Sequence, residues 1–175
     1  MKKTMKIIIL TFISITSLNS FAQINKKAKA DEDTKKWRYE VQCVGVGNQG
    51  TKLIKVFSYS KKSSIAIEQA KKNAIHAMIF QGFNGNSSSG CPTQKPLTNN
   101  PSLEQEQAAF FDEFFAEGGK YLKFVNITGD GSIAPEDRMK VGKEYKIGVV
   151  VSVMYDLLRK DLESAGIIKS LSSGF

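Results

Sequence analysis

Histidine is almost missing from this chain: His76 is the only one among 175 residues. That excludes zinc centres built from several histidines, and a mixed centre would have only Cys43 and Cys91 to draw on. No serine sits in a G-x-S-x-G context, so the nucleophile elbow of α/β-hydrolases is absent. Beyond residue 22 no apolar run reaches the length of a membrane span. No cysteine closely follows the apolar N-terminal run, so a lipid anchor is not encoded there. A dense basic stripe is lacking too, and nucleic acid is not an expected partner.

What is present begins with a targeting pattern. Lys2, Lys3 and Lys6 precede the apolar stretch Ile7–Ile15, and Ser20-Phe21-Ala22 offers small residues where a signal peptidase cuts. Residues 1–22 therefore read as a signal peptide, and the protein as exported, to the periplasm or beyond the cell. Its removal takes three lysines and no acid, leaving 22 basic against 17 acidic residues and a net charge of +5. Residues 23–36 are polar, mixed in sign and aperiodic, as expected of a disordered leader. Residues 37–175 suffice for a single domain with a real core.

The densest apolar stretch lies near the C-terminus. Val149, Val150, Val151 and Val153 form a β-branched run that predicts a central strand covered on both faces. Leu157, Leu158, Leu162 and Ala165 then repeat at helical spacing, and Gly166 supplies a stop. Upstream, Trp37, Tyr39, Val41 and Cys43 alternate with polar residues, and Leu53–Tyr59 is a second strand. The intervening Gly45-Val46-Gly47-Asn48-Gln49-Gly50 matches G-x-G-x-x-G in letters. A dinucleotide site needs a helix next, and a strand follows, so the segment reads as a hairpin turn.

Ser63 or Ser64 should cap a helix running to about Gln81. Its buried stripe is Ile67, Ala70, Ala74, Ala77 and Met78, and its wet side Lys72, Asn73 and His76. Ser102-Leu103-Glu104-Gln105 forms a capping box for a second helix ending at Gly118-Gly119. A third strand is expected over Tyr121–Ile127, and Thr128–Gly142 reads as a turn-rich connection. The expected fold is α+β: a four-stranded, mostly antiparallel sheet with helices packed on it, in the order β-β-α-α-β-β-α.

An exported chain with two cysteines favours a Cys43–Cys91 disulfide; the alternative is a buried free thiol at Cys43. Cys91 lies in Asn84–Pro101, a long loop rich in turn residues. Held by a bridge, that loop would present Asn84, Pro92 and Pro96. Phe110 or Phe115, at the margin of the next helix, would offer an apolar anchor to a partner. Asn126, Thr128, Asp130 and Asp137 occupy EF-hand ligand positions, with Gly131 at the turn. The low carboxylate count and the strand-like entry favour a plain turn over calcium. Glu104, Glu106, Asp112, Glu113 and Glu117 cluster on one helix, and paired carboxylates can hydrolyse glycosides. No cofactor is expected.

The β-hairpin, the helix with recurring Ala66, Ala70, Ala74 and Ala77, and the later strand-to-helix unit resemble small envelope domains of the flagellar-T N-terminal and related lipoprotein type. The phrases VQCVGVGNQGT, AIEQAKKNAIHAMIFQGF, GGKYLKFV and LRKDLESAGIIKSLSSGF look like a family of uncharacterised exported bacterial proteins, over nearly all of Trp37–Phe175. That resemblance implies no enzymatic motif. Together these readings make the expected function a non-enzymatic adaptor or structural module of the cell envelope, working through contacts with envelope proteins. The alternatives are a hydrolase using the acidic helix and a calcium-stabilised module.

Overall fold

The computed structural model describes residues 37–48 and 50–170. The signal peptide and the polar leader expected over residues 1–36 lie outside the described residues, as do residues 171–175.

The fold is α+β. Strands β1 (Tyr39–Val46) and β2 (Lys52–Ser60) form the expected hairpin, with an irregularity between Cys43 and Gly45. Helix α1 (Ser63–His76) follows, extended by a π-helical turn over Ala77–Gln81. Two short helices, α2 (Leu103–Glu106) and α3 (Ala108–Phe114), lead to a 3-10 turn, Lys120–Phe124, and to β3 (Val125–Ile127). Strands β4 (Arg138–Val141) and β5 (Glu144–Val153) form a second hairpin, and α4 (Tyr155–Ser164) closes the chain. All pairings are antiparallel. The path is β1-β2-β5-β3, and β4 shares with β3 the far edge of β5.

The valine-rich strand is central, but the described residues do not cover it on both faces. Ile147, Val149, Val151 and Val153 are buried beneath the helices, beside Ile54 and Val56 of β2. On the other face Lys146, Val150 and Ser152 are only half-buried. Ion pairs and rings furnish that face instead. Lys146 Nζ meets Glu40 at 2.6 Å and lies over the Phe57 and Tyr59 rings, and Lys55 meets Asp137 at 2.7 Å. Gly148 makes room there, since a Cβ would fall 2.7 Å from the Phe57 ring.

Four details depart from the sequence reading. A fifth strand, β4, escaped notice because all four of its residues are exposed and carry no burial alternation. The third strand is shorter than expected. Tyr121 and Phe124 are buried three residues apart, the period of a 3-10 turn, and only Val125–Ile127 pairs with β5. The second helix is broken at Gln107 (φ −113°, ψ 34°). Finally, neither predicted cap operates. Helix α1 starts from Lys62 without a side-chain cap, and Asn100 Oδ1, rather than the Ser102 hydroxyl, accepts a backbone N–H at the start of α2.

Ala66, Ala70 and Ala74 of α1 are fully buried and let the helix lie close on β2 and β5. A larger side chain there has no room without displacing the layer. Ala74→Leu should lower stability by about 1–3 kcal/mol, read as a lower urea midpoint at unchanged slope; a wild-type midpoint would mean that the interface has slack.

Candidate functional site

The long loop is built rather than loose. Cys43 and Cys91 form a disulfide, with Cα atoms 6.1 Å apart, tying the loop to β1. Isolated bridges pair Phe83 with Gln94 and Asn86 with Cys91, around a 3-10 turn at Ser87–Ser89. Further along, Leu97 and Thr98 donate backbone N–H groups to the Met78 and Ile79 carbonyls of the π-helical turn. Gly82 permits this seating: its φ is +67°, and a Cβ would stand 2.2 Å from the Gln94 carbonyl oxygen. Asn84 and Pro92 are exposed on the loop, and Pro96 is half-buried.

The phenylalanines divide. Phe115 is buried and packs edge-on to Trp37 at 5.4 Å, so it is not available at a margin. Phe110 is half-buried, stacks on Phe114 and lines a cleft of about 770 Å³. Phe114 and Leu122 also line the cleft, with Glu113, Glu117, Lys120 and Lys123. Lys120 is neutralised by Asp161 at 2.7 Å. The loop positions Asn84, Pro92 and Pro96 are not among the residues lining this cleft.

The remaining predicted positions lie elsewhere. Asn126 is in β3 opposite Ser152, and the Thr128 hydroxyl donates to the Val150 carbonyl. The exposed Asp130 accepts from the Ser132 backbone N–H, which holds its carboxyl below the usual range. Asp137 is occupied by Lys55. Among the described residues no three His, Cys, Asp or Glu side chains converge to hold a metal.

The largest correction concerns α1. Lys72, Asn73 and His76, expected on its wet side, are all buried, with His76 only 7 % exposed. Lys72 lies over the Tyr121 ring at 5.6 Å, and Asn73 donates to the Ser58 hydroxyl at 2.8 Å. His76 stacks on Trp37 with ring centroids 3.5 Å apart, and Phe80 packs against it at 4.7 Å. Its Nε2 is 3.4 Å from Glu104 Oε2, and its Nδ1 is 2.6 Å from the Tyr39 hydroxyl. The Trp37 indole N–H donates to Glu104 Oε1 at 3.0 Å. An ionised carboxylate only accepts, so Nε2 carries the ring proton and Tyr39 donates to Nδ1.

Both ring nitrogens are thus engaged within the protein, and burial pushes His76 down from its ordinary 6.5 to about 3. Burial also raises the Tyr39 hydroxyl, with the Glu104 charge adding to it. Glu104 is itself raised by burial, while the Trp37 bond opposes this and Asp112 adds to it. Sequence reasoning missed the site because its members are far apart in the chain. Trp37 and Tyr39 are two residues apart at the start of the chain's first strand, but nothing local points to Glu104.

Set against known proteins, the chain matches no family model, no curated protein and no solved structure.

Replacing both cysteines by alanine should cost about 4 kcal/mol through loop-closure entropy, measured by urea titration of the oxidised wild type against the variant; equal midpoints would refute it. His76 adds a pH dependence of known sign. Between about 3 and 6.5 the unfolded chain binds more protons at this residue than the folded one, so its share of stability is complete above pH 6.5 and is lost as pH falls toward 3. Glu104, being raised, works in the opposite sense. His76→Gln should flatten the acid-side slope by up to about 1.4 kcal/mol per pH unit; an unchanged slope would mean that His76 titrates normally in the folded state.

Proposed function

We propose that this protein is an exported, non-enzymatic binding module of the cell envelope that grips a partner protein through the Phe110 cleft. The supporting observation is the make-up of that cleft and the segment bearing it. Residues 103–117 carry five acids and no Lys or Arg, on a chain whose net charge is +8. Phe110, Phe114 and Leu122 supply apolar surface beside Glu113, with Lys123 also on the lining. With Lys120 already paired, this suits a basic segment that inserts one apolar side chain. The disulfide is compatible with export.

A hydrolase reading would use Glu113 and Glu117, which line the same cleft. Both carboxyls come from one continuous segment, whereas the pairs that cleave glycosides flank the bond from two sides. The His–Glu–Tyr cluster offers no better start, because its polar atoms are spent on one another.

A photo-crosslinking residue at Ala116, in the cleft, should capture a partner in intact cells. The same residue at the exposed Lys143 should not. The adduct should vanish in Phe110→Asp and weaken with salt. Equal capture from both positions, or capture insensitive to Phe110→Asp, would overturn the proposal.

A further inference from the structure

Beside the buried cluster lies an acceptor that no described residue satisfies. Among the described residues Asn73 Oδ1 has no hydrogen-bond partner, although Asn73 is 1 % exposed and its Nδ2 donates to Ser58. Ser58 is the β2 residue directly opposite Tyr39. Asn73 also precedes His76 by three residues on α1, and His76 bonds Tyr39. Asn73 and His76 therefore lie on the same helix face, over the β1–β2 pair that carries Tyr39 and Ser58. A buried polar atom left unpaired costs free energy, so a donor that could turn toward it would be used.

We propose that Glu104, His76, Tyr39 and Asn73 form a two-state proton relay, in which one proton taken up at Glu104 reverses the hydrogen bonds as far as Asn73.

A proton placed on the oxygen that faces His76 drives the reversal. Glu104 Oε1 already accepts from the Trp37 indole, so the relay takes its new proton on Oε2, which faces His76 Nε2. Two hydrogens cannot share that contact. Either Oε2–H donates to a bare Nε2, or the proton passes to the ring while the carboxylate stays ionised. In both cases Nδ1 gains a hydrogen and donates it to the Tyr39 oxygen. The Tyr39 hydrogen then leaves Nδ1, and the relay assigns it to the unpaired Asn73 Oδ1. No bond other than O–H and N–H is made or broken, and one proton from solvent balances the change. The entry point is accessible, because the Glu104 side chain is one-third exposed.

The groups facing His76 are Trp37 and Tyr39 from β1 and its approach, Phe80 from the π-helical turn, Glu104 from α2, and Phe115 beyond α3. Of these only Tyr39 and Glu104 titrate. Asp112 acts on Glu104 from α3, raising its affinity for the proton. Burial holds the Tyr39 hydroxyl protonated, so it shifts its hydrogen rather than losing it.

The test is ¹⁵N NMR of the whole exported chain labelled at histidine, where His76 is the only signal. At pH 8 the wild type should show hydrogen on Nε2 alone. As pH falls, Nδ1 should gain hydrogen while far-UV circular dichroism is unchanged. The emission of Trp37, the only tryptophan, should shift at the same midpoint, because its ring lies on the imidazole. Glu104→Gln mimics the protonated state: its carbonyl accepts from Trp37 and its amide donates to Nε2, so Nδ1 should carry hydrogen even at pH 8. A wild-type Nδ1 that stays bare through a folded-state titration overturns the relay, and so does a Glu104→Gln variant that keeps hydrogen on Nε2 at pH 8. Should acid unfold the wild type first, the variant at pH 8 decides alone.

Discussion

The close approach of α1 to the sheet is the constraint from which most of the structure follows. Alanine at positions 66, 70 and 74 removes the side-chain bulk that would hold a helix away. The benefit is dispersion contact and apolar burial against Ile54, Val56, Val149 and Val151. The consequence is that neighbouring polar residues of α1 sink with it. Gln69, Lys72, Asn73 and His76 recur at helical spacing and are all buried. Each then needs a partner, because an unpaired buried polar group costs more than its bond returns.

Those partners explain features that otherwise look incidental. Ser58 serves Asn73, and the Tyr121 ring lies under Lys72. Glu104 reaches His76 from a short helix that has broken away at Gln107. Trp37 is drawn over the imidazole with a backbone φ of 45°, a conformation that bulky residues rarely adopt. The loop between α1 and α2 is accordingly secured at two places: by Cys43–Cys91 at its middle and by Glu104 just past its end. A long connection that would otherwise be loose is ordered by its two anchors.

The opposite face of the sheet solves a different problem. Among the described residues no helix layer covers it, so β5 could not carry valine at every position. Lys146, Gly148 and Ser152 alternate with the buried valines, and ion pairs lying over aromatic rings shield what remains. Reading Val149–Val153 as a doubly covered strand gave too much weight to Val150, the one valine on the bare side. The same face is polar enough to meet water yet dense enough to protect the strand beneath it.

Local pattern carried the sequence reading where it succeeded. Alternation marked β1, a density of Ile, Val, Phe and Tyr marked β2, the glycines between them marked a turn, the alanine repeat marked α1, and the change of period after Val153 marked β5 and α4. These depend on residues within a few positions of one another, and the energies that decide them are local. The Cys43–Cys91 bridge was legible for another reason, since a chain expected to be exported and holding only two cysteines leaves few choices. Tertiary structure alone decided which face of α1 was buried beyond its alanines, whether Tyr121–Phe124 turned or extended, and that Trp37, Tyr39, His76 and Glu104 would meet. Polar residues beside a small-residue stripe are read as wet by their own chemistry. Whether water reaches them depends on how closely another layer approaches, and that distance is a property of the packed whole.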